Sequence, residues 1–168
     1  YFLKFTRKIP TLKILSNSKE KKILKLWEGL GYYRRVKNLH QTAKILIKEH
    51  NGKLPNKLEE IKKLPGIGDY TGNALLSIVY NQPKVPFDGN VKRVFLRLFG
   101  FDVKKNQKEI KKIINNQFNT KRNGDLAEAL MEFGSIVCKP DKPLCDVCNL
   151  KKNCKFFKNN TFILKKLV

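Results

Sequence analysis

Leu64-Pro65-Gly66-Ile67-Gly68-Asp69-Tyr70-Thr71 is the pivot of this 168-residue chain. Upstream of it, Leu58, Ile61 and Leu64 recur at helical spacing; downstream, residues 70–80 are rich in Ala, Leu and Ile and read as a buried helix. Pro65-Gly66-Ile67-Gly68 leaves room between them only for a tight hairpin. Gly66 and Gly68 permit positive φ and let another backbone come close. Pro65 stops the first helix, since it has no N–H to donate. The second helix then opens with unpaired N–H groups at its positive dipole end, where an anion can sit. Two readings follow: a hairpin between helices that holds a nucleic-acid phosphate, or an ordinary turn between packed helices. The hairpin by itself does not choose.

Composition weighs on the choice. Lys and Arg number 36 against 14 Asp and Glu, a net charge of +22. Such a surface seeks a polyanion through a sequence-independent, salt-sensitive attraction; a Lys-rich bias or solubility is the plain alternative. Hydrophobic residues make up 41% of the chain, enough for the cores of one or two domains. No apolar run approaches the length of a bilayer and no secretory signal precedes the fold, so no membrane partner is expected. The first residue is Tyr, which suggests an incomplete start.

The remaining periodicities are helical. Tyr1 to Arg7 reads as the tail of a helix, and Leu12, Ile14 and Leu15 are expected to pack inward. Ser18 is a candidate cap for a helix through Ile23, Leu24 and Trp27. Gly29-Leu30-Gly31-Tyr32-Tyr33 breaks that helix. A long amphipathic one follows, with the stripe Val36, Leu39, Ala43, Leu46 and Ile47, ended by Asn51-Gly52. Pro55 and Asn56 start the short helix before the hairpin. Gln82 to Phe87 is extended, because each proline biases its predecessor away from helix. Asp88 sits where a helix begins; Val91, Val94, Phe95 and Leu98 are its apolar stripe, and Gly100 is its end. Ile110, Ile113, Ile114 and Phe118 mark another helix. After a polar loop over 119–124, Leu126, Ala127, Leu130, Met131 and Ile136 mark a last one, running into Cys138. No run alternates like a strand and no repeat recurs. The fold class is all-α.

Most lysines, such as Lys21, Lys22, Lys25, Lys111 and Lys112, read as solvated helix faces. Tyr32-Tyr33 is different. Lying between a glycine break and Arg34-Arg35, an aromatic there can wedge or stack on bases, with core packing equally open for one of the two.

The four cysteines, Cys138, Cys145, Cys148 and Cys154, are clustered as C-x6-C-x2-C-x5-C. Clustering of this kind points to a metal site in a reducing compartment and not to a disulfide framework. Four thiolates bind zinc or hold an iron–sulfur cluster. A zinc ribbon normally has two C-x-x-C knuckles, and only Cys145-Asp146-Val147-Cys148 is one here, so the pattern tilts toward [4Fe-4S], with zinc the alternative. A redox pair plus two structural cysteines is the blander account. Lys139 and Lys142 in the loop could be held against a phosphate, which would make the cluster's role structural and electrostatic.

Taken together, these residues resemble the helix-hairpin-helix DNA glycosylase superfamily, and within it the adenine DNA glycosylase (MutY) family. The stretches that carry the resemblance are residues 26–33 (LWEGLGYY), 38–40 (NLH), 64–71 (LPGIGDYT) and 88–94 (DGNVKRV), with the cysteine run after Met131-Glu132-Phe133-Gly134. The resemblance implies removal of adenine mispaired with 8-oxoguanine from double-stranded DNA, after the base leaves the helix. It implies a monomer, cytoplasmic and nucleoid-associated in a bacterium, or nuclear or organellar in a eukaryote. Asp88 is then the carboxylate that stabilises an oxocarbenium-like sugar, a role compatible with capping the next helix. Asn90 helps orient the site, Tyr32 wedges the opposite strand, Gly66 and Gly68 hold the phosphate, and Glu132 faces the adenine pocket. In the endonuclease III-like relatives a lysine at the position of Tyr70 attacks the sugar. A tyrosine cannot form that imine, so Tyr70 argues for hydrolysis without lyase chemistry.

By the same resemblance, residues 1–27 and 101–137 form a partial first helical lobe and 28–100 the helix-hairpin-helix lobe. Residues 138–154 form the iron–sulfur loop and 155–168 a tail. The family's first helix, which carries the glutamate that protonates adenine, is expected to be missing, as is the domain that reads 8-oxoguanine. No residue here takes the acid's role. Two alternatives stand beside the enzyme: an inactive DNA-binding remnant, and an endonuclease III-like glycosylase/lyase.

Overall fold

The computed structural model describes residues 1–101, 110, 112, 114 and 118–159. Among these residues every regular element is helical, and no helix is long and apolar enough to cross a membrane. The chain divides into two compact units, Tyr1–Asp69 and Tyr70–Val168.

The first unit holds α1 (Phe2–Lys8), α2 (Leu12–Asn17), α3 (Glu20–Leu26), α4 (Arg34–Glu49) and α5 (Leu58–Ile61). Ile9, Leu15, Ile23, Val36 and Ala43 form its core, with Phe5, Leu12, Leu24, Leu26 and Trp27 packed against them. Thr11 caps α2 by accepting from the Ile14 amide. Ser18 caps nothing ahead of it. Its hydroxyl turns back to donate to the Ile14 carbonyl, and α3 opens after Lys19 without a side-chain cap.

The buried line of α4 runs through Val36, His40 and Ala43, so His40 takes the place expected of Leu39. Leu39, Ile47 and, on α2, Ile14 are about 40% exposed instead. The helix closes where the Gly52 amide donates to the Leu46 carbonyl. α5 begins after Lys57, not at Pro55, and ends at Ile61. Turn hydrogen bonds carry the chain on to Leu64, so Pro65 follows a helix that has already stopped.

The second unit contains α6 (Asp69–Tyr80, its first residue in the other unit), α7 (Gly89–Phe99), α8 (Asn123–Ile136), a 3₁₀ turn at Lys151–Asn153 and α9 (Lys155–Lys158). Its core joins Val85, Val91, Phe95, Leu96, Ile110, Ile114, Phe118 and Ala127. α6 is buried on one side only. Leu76 and Ser77 are covered, whereas Ile78 and Val79 face solvent. Ser77 donates to the Asn123 carbonyl, and the Asn123 amide group donates to the Asn81 carbonyl, tying the end of α6 to the start of α8. That tie starts α8 at Asn123, inside the stretch expected to be loop. On α7 the buried set takes in Leu96 and Arg97, while Leu98 is half-buried. Ile113, Lys111 and residues 160–168 lie outside the described residues.

Candidate functional site

The hairpin of the first unit is built around one left-handed residue. Gly66 has φ 77°, and a side chain there would meet the Asn38 amide group, whose Cγ is 3.0 Å from the Cβ position. Gly68 does not adopt positive φ. A Cβ on Gly68 would touch none of the described residues within 4 Å. Lys62 pairs with Asp69 at 2.6 Å across the hairpin, and that carboxylate holds the Lys62 ammonium above its ordinary range. Gly66→Ala is expected to destabilise the protein by about 1–3 kcal/mol, because strained φ and a steric clash coincide. A urea midpoint equal to that of the parent protein would show that Asn38 yields freely.

Tyr32 is 84% exposed and has φ 47°, rare for a residue with a side chain. Arg35 lies between two rings, its guanidinium 5.6 Å from the Tyr32 centroid and 5.5 Å from that of Trp27, while it donates to the Leu30 carbonyl. Trp27 is pinned in turn by its indole N–H on the Gly31 carbonyl. An exposed aromatic on a strained backbone, backed by a cation, is the kind of feature found at working sites. Tyr33 is 44% exposed.

In the second unit Asp88 caps α7. One carboxylate oxygen accepts from the Val91 amide at 2.7 Å, and the other faces the Asn90 amide group at 3.3 Å. Asn90 accepts from Arg93 at 2.8 Å. Arg93 continues to α8 and beyond, donating to the Gly134 carbonyl at 2.6 Å and the Cys138 carbonyl at 2.8 Å. Burial pulls the Arg93 guanidinium below its usual value, the charges of Cys138 and Asp88 offsetting this in part. The Tyr70 phenol donates to the Met131 sulfur at 3.2 Å. Burial, and secondarily the charge of Asp88, push that phenol above its ordinary value, so it remains a protonated donor. Tyr70, Asp88, Asn90 and Arg93 thus form one electrostatic neighbourhood. Glu132 is exposed on α8.

All four cysteines are free thiols lining one cavity, walled by Val94, Phe133, Val137 and Leu144. Among the described residues no three His, Cys, Asp or Glu are gathered as they would be around a metal ion. Arg97 holds the loop that starts at Cys138. Its two terminal nitrogens donate to the carbonyls of Lys139 and Pro140, each at 2.6 Å, and its guanidinium lies 5.0 Å from the Phe156 ring. The Cys154 thiol faces the Arg97 carbonyl. Burial raises the Cys145 thiol, and the charges of Cys138, Cys148 and Cys154 add to the effect. The side chains of Lys139 and Lys142 are exposed.

Arg93, Arg97 and Met131 were not among the residues the sequence singled out as candidates. The signal for the arginines was present: two cations four apart, within an otherwise apolar helix stretch, need buried acceptors.

A helical chain with a glycine hairpin between two helices and a carboxylate capping a later helix belongs to the helix-hairpin-helix class. Residues 1–120 match the model of the HhH-GPD superfamily base excision DNA repair protein, and the chain belongs to that family. It is 39% identical over 172 residues to an adenine DNA glycosylase of Buchnera aphidicola subsp. Baizongia pistaciae (strain Bp), covering 95% of this chain and 46% of that protein. The adenine DNA glycosylase of Schizosaccharomyces pombe is 37% identical over 169 residues, with 97% and 37% covered. That of Homo sapiens is 34% identical over 160 residues, with 92% and 29% covered. The chain therefore spans about half the length, or less, of these curated relatives. Among solved structures it is similar to a thermostable thymine-DNA glycosylase, with a TM-score of 0.83, 26% identity, and 94% of this chain and 75% of that one covered. It shares the fold of endonuclease III in a non-covalent DNA complex, with a TM-score of 0.76, 24% identity, and 95% and 75% covered.

Proposed function

We propose that this chain is the DNA-holding and hydrolytic portion of an adenine-specific DNA N-glycosylase, acting on double-stranded DNA in which adenine faces 8-oxoguanine. The observation that carries the reading is Asp88, a half-buried carboxylate fixed at both oxygens within a chain of the base excision family. Cleavage of the N-glycosidic bond leaves positive charge on the sugar. A carboxylate already aimed at that charge stabilises the transition state without reorganising. Asn90 and Arg93 act behind Asp88 and keep it oriented. The hairpin at Gly66 and Gly68 takes a backbone phosphate, and Tyr32 enters the strand opposite the adenine. Lys139 and Lys142 add phosphate contacts, and Glu132 borders the base pocket.

Tyr70 supplies a protonated hydroxyl and no amine, so water completes the reaction. Borohydride added during turnover is accordingly expected to trap no covalent protein–DNA adduct. A trapped adduct would move the chain to the glycosylase/lyase class.

The thiols suit a [4Fe-4S] cluster: four soft donors line one apolar-walled cavity, with one knuckle among them. Cys138, Cys145, Cys148 and Cys154 would hold it. Such a cluster, when bound, cross-links the loop and so presents Lys139 and Lys142. Cys148→Ser is expected to lose iron and its visible absorption, and to weaken duplex binding about tenfold, the effect of losing a few phosphate contacts. Stoichiometric zinc in the parent protein, without a visible band, would overturn the cluster.

The whole reading is tested by single-turnover excision, with the residues encoded upstream of Tyr1 included, on duplexes carrying adenine opposite 8-oxoguanine or thymine. Release of adenine opposite 8-oxoguanine and not opposite thymine is expected. Folded, DNA-binding protein that releases no adenine from any duplex would defeat it.

A further inference from the structure

The chain contains one methionine, Met131. Met131 is half-buried on α8, packed against the apolar cluster that includes Val91, Phe95 and Ala127. Its sulfur is not given over to packing. It accepts the hydrogen of the Tyr70 phenol at 3.2 Å, and Tyr70 is itself 43% exposed. A thioether is a weak acceptor and an oxidisable one; a sulfoxide is polar, chiral and strongly accepting.

We propose that Met131 is a reversible oxidation site, and that its sulfoxide displaces the Tyr70 hydroxyl from the place it now holds on the Met131 sulfur. The oxidant is a hydroperoxide. A sulfur lone pair attacks one peroxide oxygen, an S–O bond forms and the O–O bond breaks. Sulfur loses two electrons, the peroxide gains them, and the departing oxygen leaves as water or an alcohol after taking up a proton. The new oxygen occupies the space between sulfur and phenol. The Tyr70 hydroxyl can keep its hydrogen bond only by moving outward with it. In the functional reading above the Tyr70 hydroxyl belongs to the reacting site, so this movement alters that site. The oxidation itself depends only on the Tyr70–Met131 pair; its effect on excision rests on the functional reading given above.

In protein labelled with ¹³C at the methionine methyls, the Met131 resonance is identified as the one that Met131→Leu removes. Hydrogen peroxide is expected to move that resonance, to add one oxygen to the peptide containing Met131, and to lower single-turnover excision at least tenfold. A methionine sulfoxide reductase is expected to reverse all three. Tyr70→Phe removes the donor from the sulfur lone pair and is expected to speed oxidation at least twofold. Met131→Leu, whatever its starting rate, is expected to keep that rate in peroxide. A resonance unmoved by peroxide that oxidises free methionine would overturn the proposal. So would an oxidised protein that excises at its original rate, or a Tyr70→Phe protein oxidised no faster than its parent. Equal peroxide loss in Met131→Leu would put the lesion on the thiols and overturn it as well. If unoxidised protein excises no adenine, the functional reading fails, and the resonance and Tyr70→Phe measurements decide the oxidation site alone.

Discussion

Asp88→Asn protein is expected to bind duplex DNA as tightly as its parent and to excise adenine about 10³-fold more slowly, the upper range for losing one preorganised charge-stabilising group. The substitution is chosen because Asn and Asp are about equally good helix caps. The Val91 amide keeps its acceptor, and α7 keeps its start. The negative charge that would face a cationic sugar disappears. One contact with Asn90 changes sense, since two amide groups then meet where an amide group met a carboxylate. That contact is long at 3.3 Å, so the stability change should stay within about 1 kcal/mol. Three measurements separate the roles: single-turnover excision, anisotropy with a labelled duplex, and the urea midpoint. Loss of all three in step would mean that Asp88 is a cap and nothing more.

This prediction was available from the sequence, and the reason is local. Asp88 follows an extended proline connector and precedes an apolar helical stripe, so its capping role needs only neighbours along the chain. The hairpin is legible for the same reason, because Pro65-Gly66-Ile67-Gly68 leaves few conformations open. Errors arise where a side chain has a choice of direction. Ser18 can cap the next helix or close the last one, and it does the second. His40 and Leu39 compete for one side of α4, and periodicity favours the leucine although the backbone buries the histidine. The exposed side of α6 is of the same kind: Ile78 and Val79 satisfy an apolar pattern yet stay 43% and 56% exposed. The long reach of Arg93 to Gly134 and Cys138, 41 and 45 residues away, and the meeting of Tyr70 with Met131, leave no trace in local spacing. They depend on how helices far apart in sequence come together.

One such meeting carries the second large effect. Gly134→Ala is expected to destabilise the protein by about 1–3 kcal/mol, the range for overpacking a tight interior. A Cβ at Gly134 would lie 2.7 Å from the Asn90 Cβ and 3.1 Å from the Asn90 carbonyl carbon and oxygen. Backbone cannot rotate away as a flexible side chain can, so α7 and α8 must separate. Separation also stretches the Arg93 bonds to the Gly134 and Cys138 carbonyls, and Arg93 is what holds Asn90 against Asp88. Excision is therefore expected to fall at least tenfold at temperatures where the variant is fully folded. The control is Phe118→Leu, a core change in the same unit with a comparable stability loss. It should leave excision near the parent rate. If both variants lose excision only in proportion to the fraction unfolded, Gly134 is a packing residue and the line from α8 through Arg93 to the carboxylate carries no catalytic weight. If Gly134→Ala alone loses it, the close approach of the two helices is what keeps Asp88 in position.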